Sequence, residues 1–247
     1  MHCHLDFMAN GEDVAREAEA VGSLLFATTV TPDGYERARE RFGELENVRV
    51  GVGLHPWWVC DGAENAQTVA ERAAEFVAST RFVGEIGLDF GKRYIGTRNA
   101  QIKAFSLIAS ACGAAGGKVL SIHSVRAARE ALDALSEAGA LESCTCVFHW
   151  YSGPSDQLKR AIDAGCMFSV NARMLATGKG REYVKAIPMR QLLLETDAPP
   201  EQGVPYSWML LHDELARTAA QVAAIKGDVA LNAIAENSRG VLSATAM

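Results

Sequence analysis

Apolar and polar positions along the 247-residue chain alternate between two rhythms. Short runs rich in Val, Ile, Leu and Phe give way to longer stretches in which apolar residues recur every three or four positions. The first rhythm predicts strands and the second predicts amphipathic helices. Strands are expected at MHCHLD (1–6), LLFATTV (24–30), VRVGVGLH (48–55), FVGEIGLD (82–89), KVLSIH (118–123), CTCVFH (144–149), CMFSV (166–170) and LLLET (192–196). Helical spacing fills the gaps, as in GEDVAREAEAVG, NAQTVAERAAEFVAS and RAAREALDALSEAG. PSDQLKRAIDAG predicts a helix opening at Pro154, capped by Ser155 or Asp156 and ending at Gly165. Two helices are expected after the last strand, from about Ser207 to Ile225 and from Val229 to Leu242.

Eight strands alternating with helices in about 250 residues is the arithmetic of an α/β fold of the (β/α)8 TIM barrel type. The strands are almost continuously apolar, as parallel strands buried on both faces should be. An open doubly wound sheet is the rival, but no GxGxxG follows the first strand. No repeat, low-complexity tract or Pro/Ser-rich linker divides the chain, so one domain over 1–247 is expected.

The ends of the predicted strands carry the chemistry. The first holds His2 and His4, whose spacing puts both side chains on one face of a strand. The third ends at His55, the fourth carries Glu85 and Asp89, the fifth ends at His123, the sixth at His149, and Asp197 follows the eighth. A barrel gathers these ends on one face. His2, His4, Glu85, His123, His149 and Asp197 would then converge. Imidazole with carboxylate is a ligand set for divalent ions such as Zn or Mn. Six donors exceed one tetrahedral site and suit two ions sharing a carboxylate. His212 lies inside a helical stretch and is read as structural.

Composition narrows the partners. Hydrophobic residues make up 49% of the chain, enough for a large core, yet no run reaches membrane-spanning length, so no membrane partner is expected. No basic region followed by an apolar stretch opens the chain, which points to a cytoplasmic protein. The six cysteines, including Cys60, form no zinc-type pairs and are read chiefly as reduced core residues. A net charge of −6 argues against a broad grip on duplex nucleic acid, although bound cations can supply positive charge locally.

HxHLD, GLHP, GEIGLDF, IHS, FHWYSG and LLLETDAP, in this order, resemble the TatD family of metal-dependent deoxyribonucleases. RNAQIKAF (98–105) and NSRGVL near the end resemble two of its helices. FHWYSG and GGKVLSIHS are similar to the TatD-like proteins of Qat phage-defence operons. The resemblance implies a metal-dependent hydrolase that cleaves phosphodiester bonds of DNA, with partner proteins of a defence operon. It implies two divalent ions (Mg, Mn or Zn): one on His2, His4, Glu85 and Asp197, the other on His123 and His149, with Glu85 bridging. It also implies that His55 stands near the substrate phosphate. Asp197 and Glu85 are expected to be the catalytic carboxylates, Asp197 as base, since a carboxylate at a metal edge can take the proton of the attacking water. Two departures stand out. Arg126 falls one place later than in the family's HSR, and PEQGVPYSW replaces the commoner sequence after ETDAP.

The acidic balance predicts a preference for single strands or ends of DNA, held by stacking on Trp57, Trp58, Trp150 and Tyr151. The rivals are a metallohydrolase of another ester or amide substrate on the same barrel, and a nuclease-like subunit active only in a larger complex. Glu85, standing where relatives in that wider group carry a carboxylated lysine, favours the phosphodiesterase.

Overall fold

The computed structural model of the protein describes residues 2–59 and 63–243, with side chains at 63–65 left aside. Cys60 and Met1, both part of the sequence reading, lie outside the described residues. Eight parallel strands form one sheet in sequence order. They are β1 (His2–Cys3), β2 (Leu25–Thr28), β3 (Val48–Leu54), β4 (Phe82–Asp89), β5 (Val119–Val125), β6 (Thr145–His149), β7 (Met167–Val170) and β8 (Leu192–Leu194). Helices connect them around the outside, as a run of right-handed βα units requires.

The seam between the first and last strands is closed by backbone bonds. Thr196 and Asp197 N–H both donate to His2 O (3.4 and 3.2 Å), and His4 N–H donates to Ala198 O (2.8 Å). The predicted (β/α)8 barrel is therefore present, with shorter outer strands than the apolar runs suggest. β1 ends at Cys3, because the backbone of His4 leaves the extended region and Leu5–Phe7 form a 3₁₀ turn. β8 ends at Leu194, and Asp197 takes a positive φ of 55°.

The start of the barrel is plugged by side chains. Phe26, Phe82, Val119, Val147 and Leu193 point into it from five strands and meet Val241 and Leu242 at the end of the last helix, Val229–Leu242. Asn237 of that helix donates to Met189 O and Leu192 O (2.8 Å each), tying it to the root of β8. The helix Ser155–Asp163 begins one residue after Pro154, which stands at the N-cap position, and neither Ser155 nor Asp156 caps it.

At the other end β3 gives way to its neighbours. Glu85 N–H donates to Thr29 O (2.7 Å) and Thr29 N–H to Gly84 O (3.0 Å), so β4 bonds past β3 to the end of β2. Gly53 makes this possible. A Cβ at residue 53 would sit 1.7 Å from Thr29 O and 2.7 Å from Glu85 N. Only a residue without a side chain allows this crossing, which aims Glu85 at the barrel axis.

Gly53→Ala should therefore lower Tm by about 5 °C or more, the scale of one or two lost backbone bonds. It should also reduce bound metal, measured by elemental analysis of the purified protein. Wild-type Tm with full metal content would contradict the crossing's role.

Candidate metal centre

Glu85 is buried (3% exposed) and is surrounded by five imidazole nitrogens. Its Oε2 lies 3.2 Å from both His2 Nε2 and His4 Nε2. Its Oε1 lies 2.7 Å from His149 Nε2, 2.9 Å from His123 Nδ1 and 3.1 Å from His55 Nε2. Asp197 Oδ1 completes the first group, 3.5 Å from each of His2 and His4 Nε2. The two oxygens of one carboxylate thus face two separate groups of donors.

The first group fits a cation. His2 Nε2 and His4 Nε2 lie 3.3 Å apart, so five of the six edges between the four donor atoms run from 3.2 to 3.5 Å. A tetrahedron with about 2.0–2.1 Å bonds has edges of about 3.3–3.4 Å. Outer hydrogen bonds point the lone pairs inward. His4 Nδ1 faces Thr28 O (3.2 Å), which can only accept, so Nδ1 carries the proton and Nε2 is free to ligate. His2 Nδ1 meets Ser121 Oγ (2.7 Å), compatible with the same tautomer.

The second group divides by the same logic. Behind His149 and His123 stand carboxylates: Glu195 Oε1 is 3.5 Å from His149 Nδ1, and Asp89 Oδ2 is 3.5 Å from His123 Nε2. An acid behind an imidazole is the usual support of a metal-ligating histidine. His55 differs. Its Nδ1 accepts the backbone N–H of Trp57 (3.1 Å), so in the neutral ring the proton sits on Nε2 and points at Glu85. Position alone would admit His55 as a ligand with Glu85 and His123, but its hydrogen bonding makes it a donor.

Titration follows from these contacts. Burial raises the Glu85 carboxyl, but the imidazoles of His55, His149 and His2 and the bond to His123 hold it well below the usual carboxylate range. Burial also raises Asp197, yet the bond to His4 and the rings of His149 and His2 bring it down to about 2. Burial lowers His4, and the bonds to Asp197 and Glu85 outweigh it, lifting the ring to about 10. His149 is likewise depressed by burial and raised further by Glu85 and Glu195. His55, dominated by burial, falls to about 4 and is neutral at pH 7. To hold a cation, His4 and His149 would have to give up the protons that these contacts favour.

A cavity of about 460 Å³ opens over this centre, and His4, His55, Glu85, His123, His149 and Asp197 reach it. That size lies within the range of small-ligand sites, about 300–1,000 Å³. Trp57, Trp58 and Trp150 line it, as do Pro199 and Pro200 after β8. The rest of the PEQGVPYSW loop is stitched down by Gly203 N–H to Phe7 O (2.7 Å) and Tyr206 N–H to Asn10 Oδ1 (2.8 Å). Trp57 Nε1 donates to Asp89 Oδ2 (2.6 Å), and its ring stacks on Tyr94 (centroids 5.0 Å apart, 12°). Gln101, from RNAQIKAF, clamps both backbone groups of Asp89 (2.8 and 3.1 Å).

The expectation that Tyr151 offers a stacking face is corrected. Its ring is buried against Phe148, Phe168 and Tyr183, and its hydroxyl donates to Pro154 O (2.9 Å). Arg126 is exposed at the end of β5 and does not line the central cavity. His212 lies exposed on the helix Trp208–Lys226, away from the centre. Cys3, Cys112, Cys146 and Cys166 are buried, Cys144 is half-buried, and all five are free thiols. Sequence reading missed Glu195. The spacing of two that pairs His2 with His4 also pairs Glu195 with Asp197.

A closed parallel barrel with histidines and carboxylates gathered around one shared glutamate at its C-terminal mouth defines a metal-dependent hydrolase. The family described as TatD related DNase matches residues 1–243, and the chain belongs to it. "Uncharacterized metal-dependent hydrolase TatD" of Mycobacterium tuberculosis is 31% identical, with 91% of this chain and 92% of that protein covered. The Klebsiella pneumoniae protein named "3'-5' ssDNA/RNA exonuclease TatD" is 28% identical, covering 78% and 73%. Among solved structures, the Escherichia coli TatD homologue YJJV superposes with a TM-score of 0.72 at 22% identity, covering 99% and 97%.

Because His4 must lose a proton to ligate, zinc affinity should weaken by about tenfold for each unit of pH below neutrality. Competition with a chromophoric chelator at pH 6 and pH 8 measures this. Equal affinity at the two values would contradict the assigned protonation.

Proposed function

We propose that the chain is a deoxyribonuclease that hydrolyses phosphodiester bonds, acting on single strands or free ends, with two divalent ions (Mg, Mn or Zn). The observation that carries this reading is the division of the two Glu85 oxygens between two donor groups. His2, His4 and Asp197 with Oε2 would hold one ion, and His123 and His149 with Oε1 the other. Such ions, when bound, offset the phosphate charge and make the attacking water more acidic.

The chain's own groups do the rest. Asp197, ionised and at the cavity wall, accepts the proton of the attacking water. The Nε2–H of His55 donates to a phosphate oxygen when substrate displaces its contact with Glu85. Trp58 is 39% exposed, lies nearly parallel to Trp57 (17°) and meets His55 edge to face, and its exposed part would stack on a base. The modest cavity and the net charge of −6 favour a strand end over continuous duplex. No helix of the described residues is long and apolar enough to cross a membrane. A role in phage defence beside partner proteins of one operon rests on the FHWYSG and GGKVLSIHS resemblance. It is tested by plaque counts with and without the catalytic site.

End-labelled single-stranded DNA, incubated with Mg²⁺, Mn²⁺ or Zn²⁺ after chelation, tests the reaction. Wild type should release nucleotides with at least one ion. Asp197→Asn should lose about 10²–10⁴-fold in rate while remaining folded, and His4→Ala should lose activity together with metal. Absence of cleavage under every ion would redirect the reading to another ester or amide. Trp58→Ala should raise KM for single strands about tenfold, the scale of one lost base stack. An unchanged KM would remove Trp58 from the substrate path.

A further inference from the structure

Arg173 belongs to neither donor group around Glu85. It lies on the helical turn Ala172–Leu175 that follows β7. Among the described residues lining the central cavity, it is the one that carries a guanidinium or ammonium group. Its NH1 is 3.7 Å from Asp197 Oδ2, and its guanidinium carbon lies 5.4 Å from the centre of the Trp150 ring. Asp197 therefore turns Oδ1 to the His2 and His4 nitrogens and Oδ2 to Arg173.

The placement of Arg173 is built. Asn171 caps its turn by accepting Met174 N–H (2.9 Å), and donates its side-chain amide to Glu195 Oε1 (2.8 Å). Glu195 is the carboxylate behind His149. One buried carboxylate thus supports both a centre histidine and the turn carrying Arg173. Yet the side chain of Arg173 is 46% exposed, so the pairing with Asp197 is loose and open to exchange. Position in the barrel adds to this. β7 lies four strands from β3, so Arg173 faces His55 and the Trp57–Trp58 pair across the mouth.

Resting on the phosphodiesterase reading, we infer that Arg173 is a substrate-binding residue that grips the phosphate oxygens turned away from the Glu85 centre. The planar guanidinium suits two phosphate oxygens at once. Before substrate arrives it is held by Asp197 Oδ2 and the Trp150 face. When phosphate enters, the guanidinium exchanges Asp197 for the phosphate, which leaves Oδ2 free to accept a proton. The phosphate is then held between Nε2–H of His55 on one side and Arg173 on the other, with the base directed to the β3 rim. In a chain of net charge −6, the guanidinium of Arg173 on the cavity wall also favours anions over neutral ligands there.

The test separates this inference from the reading beneath it. Metal-loaded wild type, Arg173→Met and Arg173→Lys are titrated with thymidine 5′-monophosphate by calorimetry, beside thymidine as the uncharged control. Bound metal is measured in each protein. The inference expects unchanged metal content and a Kd for the monophosphate raised at least tenfold in Arg173→Met. Arg173→Lys should recover part of the loss, and thymidine should show no dependence on residue 173. On oligonucleotides, Arg173→Met should lose about 10²-fold or more in kcat/KM. Monophosphate affinity that is unchanged in Arg173→Met, or absent from wild type, overturns the inference. So does a loss of bound metal in Arg173→Met, which would make Arg173 a prop for Asp197 alone. Arg173-dependent monophosphate binding without cleavage of any oligonucleotide supports the phosphate grip and overturns the nuclease reading instead.

Discussion

A single carboxylate buried at the centre of a barrel sets the terms for the rest of this molecule. An unpaired carboxylate there would cost several kcal/mol. Glu85 instead meets nitrogens from five histidines, three on the strands β1, β5 and β6 and two just past the ends of β1 and β3. Each ring reaches it only if the strands stand in the right register. The crossing of β4 over Gly53 to Thr29, and the bonds joining His2 and His4 to residues 196–198, are the backbone conditions for that convergence. The backbone bonds that close the barrel are also the ones that position the site.

The outer contacts of the rings matter as much as the inner ones. Thr28 O, Ser121 Oγ, Glu195 and Asp89 stand behind His4, His2, His149 and His123. A backbone N–H stands behind His55. That difference separates four rings able to offer lone pairs inward from one that offers a proton. Distance to Glu85 alone would make all five interchangeable. Hydrogen-bond polarity gives them distinct chemistry.

The barrel and most of the centre were legible in the sequence, because parallel strands buried on both faces read as apolar runs and their polar ends stand out. His2, His4, Glu85, His123, His149 and Asp197 all emerge this way. Strand lengths were less legible: the ends of β1 and β8 depend on local backbone turns at His4 and Asp197, which composition does not reveal. Tyr151 shows a second limit. Trp150 adopts a positive φ of 39°, so the chain turns at the end of β6, leaving Trp150 on the cavity wall and Tyr151 in the core. Adjacent aromatics therefore part company. The roles of Glu195 and Arg173 come from contacts between distant segments and have no local signature.

Glu85 is proposed to serve two ion sites at once, and counting ions tests this most directly. Elemental analysis of metal-saturated wild type, Glu85→Ala and a double His2→Ala, His4→Ala variant, with circular dichroism confirming each fold, gives the answer. Two ions per wild-type chain, about one in the double variant and essentially none in folded Glu85→Ala are predicted. A folded Glu85→Ala protein that still holds an ion at full occupancy would contradict the shared-carboxylate account.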